Sequence, residues 1–256
     1  MRIVIKIGTS TLAHPTGHLN IRLVEELCKI ISDIKNAGND VTLVSSGAIG
    51  MGVGKLGLMK RPEDIPTKQA AAAVGQCELM YTYDKIFSEY NLTVAQLLIT
   101  GEDIASDKRH LNFKNTLNRL LELNVIPIIN ENDTVATEEL GIGDNDTLAA
   151  IVAKSIGADK LILLSDIDGL FTADPHKDKS ATLISHIEKI DDAVLNLGGG
   201  SVSGQGTGGM ATKLEAAKIS TGAGCDMIIA NGNRPANLYD ILDGKEVGTT
   251  FKGVKI

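Results

Sequence analysis

The stretch RIVIKIGTS, residues 2–10, decides the fold. Ile3, Val4, Ile5 and Ile7 make a nearly unbroken β-branched run. Such a run suits a strand covered on both faces, because a half-exposed strand would alternate. Gly8 ends it. Over residues 20–36, Val24, Leu27, Cys28, Ile31 and Ile34 recur at helical spacing, and Gly38 follows as a stop. A second apolar run, DVTLVS, fills residues 40–45. Strand, helix, strand in that order predicts an α/β fold with a largely parallel sheet and helices on both sides.

The same grammar continues downstream. LTVAQLLI (92–99), VIPII (125–129), KLILLS (160–165) and DMIIA (226–230) read as strands. Residues 66–90, 110–123 and 144–156 read as helices, the last with Leu148, Ala149, Val152, Ser155 and Ile156 on one face. Two stretches break the pattern: FTADPHKDKSAT (171–182) is polar and turn-rich, and LGGGSVSGQGTGGM (197–210) is loaded with glycine. The chain reads as one domain, residues 1–256, with two lobes meeting softly near residue 160.

Composition narrows the function. The 256 residues are 43% hydrophobic and 22% charged, ordinary for a folded protein, and with no Trp the core must rest on Ile, Leu, Val and Ala. A net charge of −7 argues against a general nucleic-acid binder or an anionic-membrane binder. Cys28, Cys77 and Cys225 are odd in number and far apart, which fits a reducing cytoplasm better than a disulfide framework. The chain enters its first strand at once, leaving no room for a signal peptide, and no apolar run approaches the roughly 20 residues that cross a bilayer.

Several motifs sit where strands end, the place ligands of open parallel sheets gather. Lys6 to Ser10 puts a lysine and a tight glycine turn at the end of the first strand, although a solvated lysine beside an ordinary turn is the plain alternative. SSGAIGMGVGKLG (45–57) is not a P-loop: no Gly stands five positions before Gly54, and Leu56 occupies the Ser/Thr position. Its useful part is Ser46 with Gly47, a hydroxyl and unhindered amides suited to a carboxylate. A dinucleotide GxGxxG fingerprint is absent.

NENDTVA (130–136) and GDNDTLAA (143–150) concentrate amides and acids. Helix caps and Asx-turns account for one or two of Asn130, Asn132, Asp133, Asp144, Asn145 and Asp146, but not for all. A zwitterionic substrate would use both residue types. In LLSDIDGLFTADP (163–175), Asp166 and Asp168 suit a ribose or metal ion, or simply an acidic turn before Gly169. GTGGMATK (206–213) offers the amides of Gly206, Gly208 and Gly209 and the hydroxyls of Thr207 and Thr212. Lys213 follows in the first turn of a helix, an anion-binding arrangement, with a flexible linker as the competing reading.

Taken in order, KIGTS, SSGAI, NENDTVA, GDNDTLAA, SDIDGLFTADP and GTGGMATK resemble the motifs of glutamate 5-kinases, the γ-glutamyl kinases of the amino-acid kinase superfamily. The resemblance covers essentially the whole chain and implies a three-layer α/β/α sandwich around a mainly parallel sheet. It implies a glutamate lobe (about 1–160) with Ser46, Gly47, Asp133 and Asn145 as substrate residues, and a nucleotide lobe (about 161–256). There ATP would meet Ser165, Asp166, Thr207, Gly208, Gly209, Met210, Ala211, Thr212 and Lys213. Lys6 and Lys213 would flank the transferred phosphoryl group, with Asp146 positioning both. Mg²⁺ would accompany ATP, and no residue is expected to be a dedicated metal ligand. A homo-oligomer, feedback inhibition by proline, and hand-over of product to a glutamyl phosphate reductase are further implications. Relatives often carry a C-terminal PUA domain, which the motifs here do not include.

Glutamate's side-chain carboxylate, with an ordinary pKa of about 4.3, is already ionised at neutral pH, so this chemistry needs no general base. His14, His18, His110, His176 and His186 accordingly read as scattered surface residues. The rival readings are another amino-acid kinase (for acetylglutamate, aspartate, carbamate or UMP), a catalytically silent sensor, and, more distantly, an oxidoreductase.

Overall fold

A computed structural model describes residues 1–254 except 15, 17, 137–141, 176 and 199–208. The elements run β1 (Arg2–Ile7), α1 (Thr9–Leu12), α2 (Ile21–Asn36), β2 (Asp40–Ser45), α3 (Ala48–Lys55), α4 (Ile65–Ser88), β3 (Val94–Ile99), α5 (Gly101–Ala105) and α6 (Asp107–Glu122). Then come β4 (Ile126–Glu131), α7 (Asn145–Ile156), β5 (Lys160–Ser165), β6 (His186–Ile187), α8 (Asp192–Asn196), α9 (Met210–Thr221), β7 (Asp226–Asn231), α10 (Asn237–Leu242) and β8 (Thr249–Phe251). The six strands read from the sequence are β1 to β5 and β7. The other two, β6 and β8, span two and three residues and are too short to show a period.

All eight strands join one sheet in the order β3-β4-β2-β1-β5-β7-β8-β6. β3, β4, β2, β1, β5 and β7 pair in parallel, as do β6 and β8, and among the described residues only the β7–β8 step of the sheet is antiparallel. The chain order reverses at β1, which lies between β2 on one side and β5 on the other. In parallel α/β sheets this switch point opens a crevice at the strands' carboxyl ends.

Alternate residues of each central strand feed opposite layers. Ile3, Ile5 and Ile7 pack with α2, α4 and α10 side chains such as Leu27, Leu79, Tyr83, Phe87 and Leu238. Val4, Val44, Ile129, Leu161 and Leu163 face the opposite layer, with Phe113 and Leu117 of α6, Leu148 and Val152 of α7, and Leu214 of α9. Helices cover both faces, which is why the strands read as unbroken apolar runs. Helix α7 is buried beyond the single stripe read from its sequence, since Ala150 and Ala153 are also enclosed. Lys6 shares the parity of Val4 and therefore points into the α7–α9 layer.

Two glycines bring helices α3 and α4 into backbone contact. A Cβ added at Gly52 would lie 1.8 Å from the Ala71 carbonyl oxygen, and one at Gly75 would lie 1.7 Å from that of Ala48. No other residue fits either position. The crossing holds α4 against the carboxyl end of β2 and so against the crevice.

Candidate active site

The crevice holds one acid between two cations. Lys6 Nζ, near the end of β1, lies 2.7 Å from Asp146 Oδ1, and Lys213 Nζ, in the first turn of α9, lies 3.0 Å from Asp146 Oδ2. All three are buried, Asp146 to 1% exposure. Burial raises the Asp146 pKa, but the charges of Lys6 and Lys213 and their hydrogen bonds outweigh it and hold the carboxyl below its ordinary value. Thr212 Oγ1 completes the cluster, 3.0 Å from Asp146 Oδ2 and 2.7 Å from the Gly209 carbonyl. Three residues remote in sequence thus lie within ion-pairing distance of one another.

The start of α7 divides structural from chemical labour. Asp144 is the cap: its Oδ1 accepts from the amides of Asp146 and Thr147, both at 2.8 Å, and its Oδ2 from the Thr147 hydroxyl. This frees Asn145 and Asp146 to face the crevice. Asn145 Nδ2 lies 2.8 Å from Ser46 Oγ, 3.1 Å from Asn130 Oδ1 and 3.3 Å from the Ser45 carbonyl. Ser46 Oγ accepts there, which leaves its own proton to donate. Gly47 follows at φ 102°, a left-handed conformation that suits glycine, as the N-cap of α3.

Asp133 sits in the turn after β4, lining a small pocket with Ala48, Gln76, Leu98, Glu131 and Asn132. Burial first, and the negative charge of Glu131 second, push its pKa up to about 6 against the pull of Arg61. Glu131 is raised as well, chiefly by burial, and its Oε1 accepts from the Ile142 amide at 2.8 Å.

On the other side of β1, Ser165 closes β5 and donates to Asp166 Oδ1 at 3.1 Å, while Asp166 itself is exposed. Asp168 Oδ1 accepts from Asn231 Nδ2, at the end of β7, at 2.8 Å. Gly209 caps α9 in an extended conformation, and Met210, Ala211 and Thr212 form its first turn with Lys213. Thr207 and Gly208, also assigned to nucleotide binding from sequence, lie outside the described residues.

Sequence reasoning missed two contributors from α4. Tyr83 Oη lies 2.9 Å from Ser45 Oγ and braces the end of β2. Gln76 Oε1 accepts from Asn130 Nδ2 at 3.0 Å. The available signal was a lone polar residue in an alanine- and glycine-rich helix segment (residues 70–77), easily read as a solvated position. One surface expectation is corrected: His110 is partly buried, with Nε2 2.8 Å from Ser155 Oγ, a contact between α6 and α7.

Among known proteins, the model of the amino acid kinase family matches residues 1–231. A glutamate 5-kinase of Clostridium tetani is 52% identical over 99% of this chain and 95% of its own length. One from Caldanaerobacter subterraneus is 51% identical over 100% of this chain and 68% of its own length. Carbamate kinase from Giardia lamblia bound to AMP-PNP superposes with a TM-score of 0.69 at 18% identity, covering 99% of this chain and 98% of that one.

Proposed function

This chain belongs to the amino acid kinase family, and from that premise we propose how its crevice works as a glutamate 5-kinase. The activity is transfer of the γ-phosphoryl group of ATP to the side-chain carboxylate of L-glutamate, giving L-glutamyl 5-phosphate, the first step of proline biosynthesis. Identity of about half to glutamate 5-kinases over nearly the full length of this chain supports it. The single structural observation that carries the mechanism is the Lys6–Asp146–Lys213 cluster at the sheet's switch point.

The chemical problem is to bring one anion onto another. Glutamate's γ-carboxylate is ionised at neutral pH, so it attacks without proton removal. Ammonium groups on both sides of the transferred phosphoryl lower the cost of its approach and stabilise the spread charge of the transition state. Asp146 sets where those ammonium groups stand. Its carboxylate is already committed to both lysines, which makes it a positioning residue rather than a base.

In the acceptor lobe, residues 1–160, Ser46, Gly47 and Asn145 hold the substrate's carboxylate groups and Asp133 pairs with its ammonium. In the lobe formed by residues 161–256, Ser165, Asp166 and the run Thr207 to Lys213 hold ATP. Magnesium would be held mainly by the triphosphate. When bound, it neutralises phosphate charge. Proline carries the same α-carboxylate and a charged amine, so it suits the Asp133 pocket as a feedback inhibitor. The acyl phosphate product is short-lived in water, which favours hand-over to a glutamyl phosphate reductase. Exposed Leu56, Met59, Ile65 and Tyr81 would be covered in a homo-oligomer. Unpaired Cys28, Cys77 and Cys225 suit the cytoplasm, and among the described residues no helix is long and apolar enough to cross a membrane.

Hydroxylamine trapping of the acyl phosphate tests this reading. Hydroxamate should form only with ATP, Mg²⁺ and L-glutamate together. Lys6→Met and Lys213→Met should each lower turnover by about 10²- to 10³-fold, the usual loss of one such stabilising group, while melting as folded proteins. Near-native turnover in either variant overturns the two-lysine mechanism. Preference for another acceptor overturns the substrate.

A further inference from the structure

Gln76 is 7% exposed, and its Nε2 has no hydrogen-bond partner among the described residues. It lines the pocket that also contains Asp133, Glu131 and Asn132. A buried donor left without an acceptor costs free energy, so its placement in this pocket calls for a ligand.

Its orientation follows from a chain of forced assignments. The Glu131 backbone amide can only donate, and it donates to Asn130 Oδ1 at 2.9 Å. That fixes the Asn130 oxygen on one side and turns Asn130 Nδ2 toward Gln76, whose Oε1 accepts at 3.0 Å. Gln76 Nε2 must then be the end that is left over. The other end of the same chain is Asn145 Nδ2, which donates to Asn130 Oδ1 at 3.1 Å and to Ser46 Oγ at 2.8 Å. Side chains on α4, β4, α7 and the end of β2 therefore form one line of amides, running from Ser46 to an unused donor beside Asp133.

From this we infer that Gln76 is a substrate-binding residue whose Nε2 donates to the α-carboxylate of the amino-acid acceptor, an assignment that rests on the glutamate reading above. A donor needs an acceptor atom, which excludes the substrate ammonium. The γ-carboxylate must approach Lys6 and Lys213, which do not line this pocket. The α-carboxylate shares a carbon with the ammonium assigned to Asp133, so it enters the same pocket. Glu131 Oε1 is occupied by the Ile142 amide. Gln76 thus makes the site selective for acceptors bearing a second carboxylate next to the amine.

The test is steady-state kinetics of the full chain with Gln76→Met, which removes the donor, and Gln76→Glu, which opposes a carboxylate. KM for L-glutamate should rise about 10- to 100-fold, the range for losing a hydrogen bond to a charged group, and more for Gln76→Glu. The KM for ATP and kcat should stay within about threefold. As competitors of glutamate, glutarate should weaken by the same factor, while 4-aminobutyrate, which lacks the α-carboxylate, should be unaffected. An unchanged glutamate KM in both variants overturns the assignment. So does equal weakening of 4-aminobutyrate, or kcat and ATP affinity falling in step with glutamate affinity, since each marks a merely structural role. A wild-type enzyme that makes no hydroxamate from glutamate refutes the glutamate reading instead, so the two failures are distinct.

Discussion

Asp133 and Asp146 are both largely buried acids, yet their carboxyl groups are driven in opposite directions. Asp146 has two ammonium partners that outweigh burial. Asp133 has Glu131 beside it and only the pull of Arg61 against burial, so it holds its proton up to about pH 6. The sign of the resulting pH dependence is definite. Between its ordinary value of 3.8 and about 6 the folded chain keeps a proton that the unfolded chain has lost, so stability falls as pH rises across that window. Asp133→Asn should flatten this slope, melting higher than wild type above pH 6 and equally below about pH 4. In the wild type, glutamate KM should fall as pH rises through about 6, because only the ionised carboxylate pairs with the ammonium. In Asp133→Asn the KM should be high and flat. A wild-type KM that is flat from pH 5 to 7 would remove Asp133 from substrate binding. Most of these residues were legible in sequence, because acids and amides crowd NENDTVA and GDNDTLAA beyond what capping needs. Gln76 was not, since a single amide in an otherwise small-residue helix segment (residues 70–77) carries no pattern until its partners are known.

At the scale of elements, the contact of α3 with α4 matters most. Gly52 and Gly75 let two backbones touch, and α4 then presents Gln76 and Tyr83 to the ends of β4 and β2. Gly75→Ala forces a methyl group against the Ala48 carbonyl. Overpacking of this kind costs about 1–3 kcal/mol, a drop of roughly 2–12 °C in melting temperature for a chain of this size. Because the shift moves α4 relative to the crevice, glutamate KM should rise while ATP KM holds. Calorimetry and substrate titrations check both halves, and an unchanged melting temperature would mean that the helices separate freely. The central strands were readable because each is sandwiched and therefore uniformly apolar. β6 and β8 were not, since two or three residues at a sheet edge leave no periodic trace. The left-handed turn at Gly47 was read only as a supply of amides, because backbone torsion has no signature in residue type alone.

Across the whole molecule, one sheet carries both halves of the site. β1 pairs with β2, and through it reaches β4, and with β5 directly, so the two lobes proposed to bind acceptor and nucleotide share their central strand. Heating should therefore give a single transition, raised by L-glutamate and by Mg²⁺-ATP alike, with calorimetric and van 't Hoff enthalpies agreeing. Two separable transitions, each answering to one ligand, would show the lobes to be independent units. The α/β architecture followed from the order of apolar runs. The spatial meeting of Lys6, Asp146 and Lys213 did not follow from any local pattern, since it depends on parallel pairing between distant strands.

That dependence has a consequence for biogenesis. Lys6 leaves the ribosome well before β5, which pairs with β1, and Lys213 lies another 67 positions past Asp146. Contacts so far apart in the chain form slowly. The charged centre therefore cannot assemble until synthesis has passed Lys213, and no shorter nascent chain holds both ammonium groups around Asp146.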